Sequence, residues 1–359
     1  MTRILMPYHT KSGVTLEDDV VTGGLEMFAR QIYTSIPGVI PVYFNDDDRK
    51  HRTATSKIVE AMRLHQPDVV ITNYDYRTAN LNLAKNVPDI PIVWVCHLGP
   101  GPMSKINECM NMNTFMRDYS NSVFFVSENQ YLRMNDMSLR LNKIGLDPVS
   151  GYVNPAYAKG DEKVADNIEF DCVTIGRSDK VKDPFWLHRK LKKIDTLNCA
   201  VFTDSNPKEA EYNAKNLLLE QAKPTFRGMP HHVLMEKLLV SNSYVSPCTL
   251  ETWGITALES LARGVPLLLA RDFFGQHASE CIPAREDHYT TFKKMIKASE
   301  FEELIRGVRI NTTQAKREDI SGLTKEKHSK SNWVKSIEQM IDYTIENKKN
   351  YKPPLSFFD

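Results

Sequence analysis

The chain has 359 residues, of which 41% are hydrophobic and 25% charged; this composition excludes disordered and fibrous classes, and the length favours two domains over one. Lys and Arg number 46 against 45 Asp and Glu, so no global field draws the molecule to nucleic acid or an anionic membrane. No run approaches the ~18 consecutive apolar residues of a membrane span.

Met1 to Tyr8 is a short apolar run without the basic region and longer apolar core of a secretory signal. Cys96, Cys109, Cys172, Cys199, Cys248 and Cys281 are scattered and form no CxxC pair. They read as reduced core residues of a cytoplasmic protein rather than as a zinc site or disulfide framework. Buried strands are predicted at Arg3 to Pro7, Pro41 to Phe44, Val69 to Thr72, Ile92 to Cys96 and Val123 to Val126, with amphipathic stretches between them. Such alternation implies a parallel sheet with crossover helices. Gly151 to Asp166 breaks the pattern and is expected to be a linker. A second series follows at Cys172 to Ile175, Cys199 to Thr203, Thr225 to Phe226, Ser243 to Val245 and Leu267 to Leu269. Trp333, Ile337, Met340, Ile341 and Ile345 then give a last helix one apolar face, which needs a surface to cover.

The strongest chemical signal runs from Ser246 to Pro266. After a strand ending at Val245, a loop carries Glu251, and Ile255, Leu258, Leu261 and Ala262 mark a helix that bears Glu259. Free N–H groups around Trp253 to Thr256 favour a bound phosphate. A carboxylate on the adjoining helix accepts hydrogen bonds from two neighbouring ribose hydroxyls, as acidic residues do in dinucleotide sites. Two glutamates eight apart would by themselves read as cap and surface residues. The Pro and Gly punctuation around them shifts the reading towards a ligand site. Before this block, Val173 to Lys182 is a strand ending in Gly176 followed by cations. Arg177 grips phosphate oxygens with parallel bonds and Lys182 adds a point charge. In isolation that segment reads as a solvated basic turn.

Together the two blocks resemble the G-R-x4-K and E-x7-E signatures of retaining glycosyltransferases of the GT-B fold, specifically the GT4 family that uses nucleotide-sugar donors. The departure is Thr252-Trp253, where the family often has Gly-Phe, and the larger side chains bear on the shape of the sugar pocket. The resemblance extends to weaker matches. Gly23-Gly24 resembles the family's turn into its first helix, His97 a strand-end histidine that faces the donor sugar, and Arg227-Gly228 a turn whose backbone lies near the donor base. Ser127-Glu128 and Asn154 match positions of architectural value.

The resemblance implies an α/β chain of two Rossmann-like doubly wound domains facing across a cleft, with the C-terminal helix packing back on the N-terminal domain. The acceptor domain is expected at 1–155 with helix 332–350, and the donor domain at 167–330. It further implies catalytic roles for His97, Arg177, Lys182 and Glu251. Donor binding is assigned to Gly23, Gly24, Gly176, Arg177, Lys182, Arg227, Gly228, Thr252, Trp253, Gly254, Ile255, Thr256 and Glu259. No cofactor or metal is expected: Asp46-Asp47-Asp48 reads as a solvated loop, and cations with a helix dipole stand in for a metal. The partners are a nucleotide-sugar, a UDP-sugar foremost, and a hydroxyl acceptor that is a glycan, a small molecule or a modified DNA base. The basic run Arg189 to Lys193 suits a polyanion or a solvated helix face. Two alternatives stay open: a nucleotide-sugar epimerase of the same fold, and an inactive nucleotide-binding regulator.

Overall fold

The computed structural model describes residues 1–10, 15–17, 24–50, 53–72, 89–97, 122–128, 151–160, 163–204, 210–249, 251, 253–271 and 277–347. The chain forms two compact units, Met1–Ala156 with Ser331–Asp359, and Tyr157–Lys330.

The first unit is built on six strands, β1 (Ile4–His9), β2 (Val39–Phe44), β3 (Val69–Thr72), β4 (Ile92–Cys96), β5 (Ser122–Phe125) and β6 (Gly151–Tyr152). They form one sheet in the order β2-β1-β3-β4-β5-β6, and every pairing is parallel. β1, β3 and β5 are buried along their whole lengths, as expected of strands covered on both faces. Between strands lie α1 (Gly24–Ser35), α2 (Asp46–Lys50) and α3 (Thr53–His65). On α3, Ala54, Ile58 and Met62 recur every fourth residue and are buried; the helix packs into a core with Leu5, Phe44, Val70 and Ile92.

Two expectations are corrected here. Asp46 to Asp48 is a helical turn, not a solvated loop. Asp48 accepts from the Asn45 amide at 3.0 Å and from the Thr53 hydroxyl at 3.0 Å, and pairs with Lys57 at 2.7 Å. Lys57 first, then the Asn45 amide, holds its carboxyl at about 2. The stretch expected as a linker also opens with strand β6, which pairs with β5 at Phe124↔Gly151. Two residues are too few for periodicity to register, and a Cβ on Gly151 would lie 3.1 Å from the Phe124 ring.

The second unit carries β7 (Cys172–Ile175), β8 (Cys199–Thr203), β9 (Thr225–Arg227), β10 (Tyr244–Ser246), β11 (Leu267–Arg271) and β12 (Tyr289–Lys293). All are parallel, in the order β12-β11-β10-β7-β8-β9. Counted from β7, this is the 3-2-1-4-5-6 arrangement of dinucleotide-binding sheets. Its helices are α4 (Trp186–Lys190), α5 (Ala210–Ala222), α6 (His231–Leu239), α7 (Ile255–Ala262), α8 (Ala298–Asn311) and α9 (Gln314–Lys327). Trp186 stacks on Phe292 at 5.2 Å and meets Phe301 edge-on at 5.0 Å, anchoring α4 and α8 to one face. β12 lacks a signal in the sequence because it is an edge strand whose residues are mostly half-exposed.

The last helix, α10 (Lys330–Asn347), buries Trp333, Ile337, Met340, Ile341 and Thr344. It covers the first unit: Trp333 meets Phe28 edge-on and donates Nε1–H to the Asn154 carbonyl at 2.8 Å. Further along, Thr344 hydrogen-bonds Ser122 at the start of β5. The apolar stripe read from the sequence therefore has its surface.

Candidate active site

In doubly wound sheets, ligands bind beyond the carboxyl ends of the strands where the winding direction reverses. In the second unit that point lies between β7 and β10, neighbours in the sheet. The residues following these two strands include Gly176, Arg177, Lys182, Glu251 and Gly254. The motifs that are 69 residues apart in sequence meet here, since the Lys182 ammonium forms an ion pair with Glu251.

The loop after β7 is braced by carboxylates. Asp179 pairs with Arg177 at 3.2 Å through one oxygen, and its other oxygen accepts from the Lys182 amide at 2.8 Å. One side chain thus sets the spacing of the two cations. Gly176 is where the loop folds on itself, since a Cβ there would lie 3.3 Å from the Lys182 Cβ. Asp183 has a positive φ of 47°, costly for a residue with a side chain. Bonds from Arg189, from Lys294 at 2.9 Å and from the Tyr212 hydroxyl at 2.9 Å hold it. Burial pulls the Lys182 ammonium down, Glu251 pushes it up, and the net shift is upward. Lys182 is therefore a cation at neutral pH.

The second loop is fixed by its own contacts. Gly254 sits at φ +94°, and a Cβ there would stand 2.2 Å from the Ser279 hydroxyl. That hydroxyl donates to the Trp253 carbonyl at 2.7 Å. His277 Nδ1 accepts from the Ser279 amide at 3.1 Å, which leaves Nε2 to donate to Ser246 at the end of β10, 3.2 Å away. α7 then starts at Ile255. Its first i→i−4 bond runs from the Leu258 amide to the Gly254 carbonyl at 3.3 Å, so the Ile255 and Thr256 amides precede the helical ladder.

The Trp253 side chain is 1% exposed and meets His328 edge-on at 5.9 Å. It belongs to the unit's interior. Its backbone runs in the loop while its indole packs inside the unit. On α7, Glu259 receives His231 Nε2 at 2.8 Å. Tyr244, buried between the two glutamates' segments, has its phenol pushed upward by burial first and then by Glu251, Cys248 and Glu259. Both carboxylates therefore act on one buried phenol.

Arg227 ends β9, two strands from β7, and Gly228 follows it. The Arg227 guanidinium pairs with Glu220 and donates to the Asp204 carbonyl at 3.2 Å and to Asn213 at 3.0 Å. Gly228 turns at φ +61° and donates its N–H to Thr203 at 2.9 Å. His97 and Gly24 belong to the first unit. Gly24 begins α1, and the His97 ring meets Phe28 edge-on at 5.2 Å. Burial holds the His97 imidazole at about 3, so it is neutral at physiological pH. Gly23 and Thr252 lie outside the described residues. Of the basic run, Arg189 is tied to Asp183 and Asn216, and Lys190 lies over the Trp186 ring at 5.5 Å; Lys192 and Lys193 are exposed.

Asp179, His231, Tyr244, His277 and Ser279 were not singled out from sequence. Asp179 stands inside the quoted G-R-x4-K block and was legible there. His231 had no local signal, because its partner is 28 residues away. Among the described residues, no three His, Cys, Asp or Glu side chains converge as a metal set, and no helix is long and apolar enough to cross a membrane.

No protein-family model matches the chain, and no curated protein sequence is similar to it. Solved structures do match over nearly its whole length. A sucrose-phosphate synthase from Thermosynechococcus elongatus is 14% identical with a TM-score of 0.69, covering 96% of this chain and 99% of that one. HepE from Anabaena, solved in complex with UDP, is 13% identical with a TM-score of 0.69, covering 95% and 100%. The lipopolysaccharide outer core galactosyltransferase WaaB is 14% identical with a TM-score of 0.63, covering 95% and 99%. The fold is the two-unit α/β architecture of the GT-B glycosyltransferases.

Proposed function

We propose that the chain is a GT4-type glycosyltransferase that transfers a hexose from a nucleotide-sugar diphosphate, a UDP-sugar foremost, to a hydroxyl acceptor with retention of configuration. The observation that carries this reading is the junction of Gly176-Arg177…Lys182 with Glu251…Glu259 at the reversal point of a 3-2-1-4-5-6 sheet. A diphosphate seated there meets Arg177, Lys182 and the first-turn amides of α7, with Glu259 placed to accept the ribose hydroxyls. The UDP held by HepE, a protein of the same fold, supports uridine as the base.

The two cations serve the departure of the diphosphate. As the C1–O bond to phosphate breaks, negative charge grows on the leaving oxygens, and fixed positive groups stabilise it without reorganisation. The acceptor oxygen attacks C1 from the face the phosphate leaves. Its proton passes to a leaving-phosphate oxygen, and the new C1–O bond keeps the original configuration. Glu251 orients the transferred sugar, Arg227 and Gly228 frame the base through their backbone, and His97, neutral at physiological pH, is the group that the family resemblance assigns to the sugar. The acceptor is bound by the first unit, and the charge work assigned to Arg177 and Lys182 makes a metal unnecessary.

The test is a screen of nucleotide sugars against glycan, small-molecule and hydroxymethylated-DNA acceptors, read by product mass and by the anomeric proton coupling of the product. A product of retained configuration, formed equally with a chelator present, is expected. An inverted anomer removes the retaining assignment, and a donor isomerised without an acceptor replaces transfer with epimerisation.

A further inference from the structure

The groups at and beside the reversal point of the second sheet are of mixed charge. Two cations, Arg177 and Lys182, stand against three carboxylates, Asp179, Glu251 and Glu259. Arg263 and Lys159 add two cations beside Glu259 and His231, so a proton on His231 adds one more positive charge to a mixed cluster, a favourable change for an anionic donor. His231 stands at the first position of α6, with Pro230 before it, and its Nε2 lies 2.8 Å from Oε1 of Glu259. The Glu259 side chain is only 12% exposed, and its second carboxylate oxygen has no partner among the described residues. One oxygen is thus held and the other left to accept.

We propose that His231 is a positioning residue for the donor: it fixes the Glu259 carboxylate for the ribose hydroxyls, and its proton adds one positive charge to the site when the diphosphate arrives. This rests on the donor assignment made above. The groups facing the imidazole are Glu259 and Arg263 from α7 and Lys159 from the segment leading into the second unit. The Glu259 hydrogen bond raises the imidazolium above the ordinary histidine value, against burial and against the two cations. Nucleotide-sugar binding therefore favours the protonated form, and affinity falls as pH rises through that raised value. A full charge removed near a diphosphate at the protein surface corresponds to about three- to tenfold in Kd.

The experiment is calorimetric titration of the full-length chain with UDP-glucose, GDP-mannose and ADP-glucose between pH 6 and 8.5. Their diphosphates are diesters and do not titrate in that range. The tightest of the three is then carried into His231→Gln and Glu259→Gln. We expect wild-type affinity to fall about three- to tenfold across the range, with proton uptake on binding shown by the dependence of heat on buffer ionisation enthalpy. His231→Gln keeps a neutral donor to Glu259, so it should bind with a flat pH profile and no proton uptake. Glu259→Gln should bind more weakly at every pH. A His231→Gln profile as steep as wild type, or a flat wild-type profile, overturns the role of His231 while leaving the donor site in place. Absence of binding by all three nucleotide sugars overturns the donor site itself, and the inference with it.

Discussion

The two units share a six-stranded parallel sheet yet finish their strands differently. In the first, the described strand ends place histidines against rings: His9 stacks on Phe44 at 5.4 Å, and His97 meets Phe28 edge-on. In the second, the ends of β7 and β10 carry charges already in pairs, Arg177 with Asp179 and Lys182 with Glu251. The first arrangement sets imidazoles against rings, with His9 also 3.0 Å from an Asp46 carboxylate oxygen; the second stores cations that an anion can recruit. The same scaffold therefore provides two chemistries, and the difference comes from a few residues beyond strand termini, where side chains are released from the demands of the core.

The comparison breaks most sharply at the cations. Lys182→Ala and Arg177→Ala should each lower kcat by roughly 10²- to 10³-fold, the scale of losing a group that stabilises developing charge; the melting temperature should hold in Arg177→Ala and fall in Lys182→Ala, which leaves the Glu251 carboxylate unpaired. Turnover within twofold of wild type in both would remove the charged cluster from the chemistry. By contrast, Glu259→Ala should raise the donor KM about tenfold or more while leaving kcat nearly intact, because binding common to the ground and transition states is lost. Steady-state kinetics with donor varied separates these two patterns.

Smaller effects sharpen the contrast in stability. Gly254→Ala should cost about 2–3 kcal/mol in denaturant unfolding, since the residue must hold a left-handed φ and displace Ser279. Ser279→Ala loses the bond to the Trp253 carbonyl and should cost about 1 kcal/mol.

Acid supplies the last comparison. Burial depresses the His97 imidazole of the first unit to about 3, and His188 and His328 of the second to about 4. Depressed folded values mean that the unfolded chain binds more protons below about 6.5. Stability is therefore complete above that pH and declines as pH falls towards 4, by about 2 kcal/mol per histidine at pH 5. His231 runs the other way, contributing below about 6.5 and losing its share as pH rises through its raised value. Thermal melts from pH 8 to 5 should show a net decline. Replacing His328 by Phe should flatten part of the curve, and an unchanged slope would mean that this histidine is not held neutral.

Much of this was legible in order and spacing. Strands of the first series and five of the second were marked by continuous β-branched and apolar runs, because strands buried on both faces admit little else. Helix α10 was legible from Trp333, Ile337, Met340 and Ile341, whose period requires a covered face. Gly176, Arg177, Lys182, Glu251 and Glu259 stood out because each lies in a local block of punctuated spacing. β6 and β12 did not, one being two residues long and the other an exposed edge.

The amino-acid sequence by itself determined the elements, the division into two series and the residue types that carry charge, since these follow from periodicity and local backbone preference. Only the tertiary structure decided which charges meet. The Lys182–Glu251 pair spans 69 residues and the His231–Glu259 pair spans 28, and no local pattern encodes a partner chosen by strand order. It likewise decided that Trp253 turns into the interior while Glu259 meets His231, because burial is settled by what packs behind a loop and not by the loop's own residues.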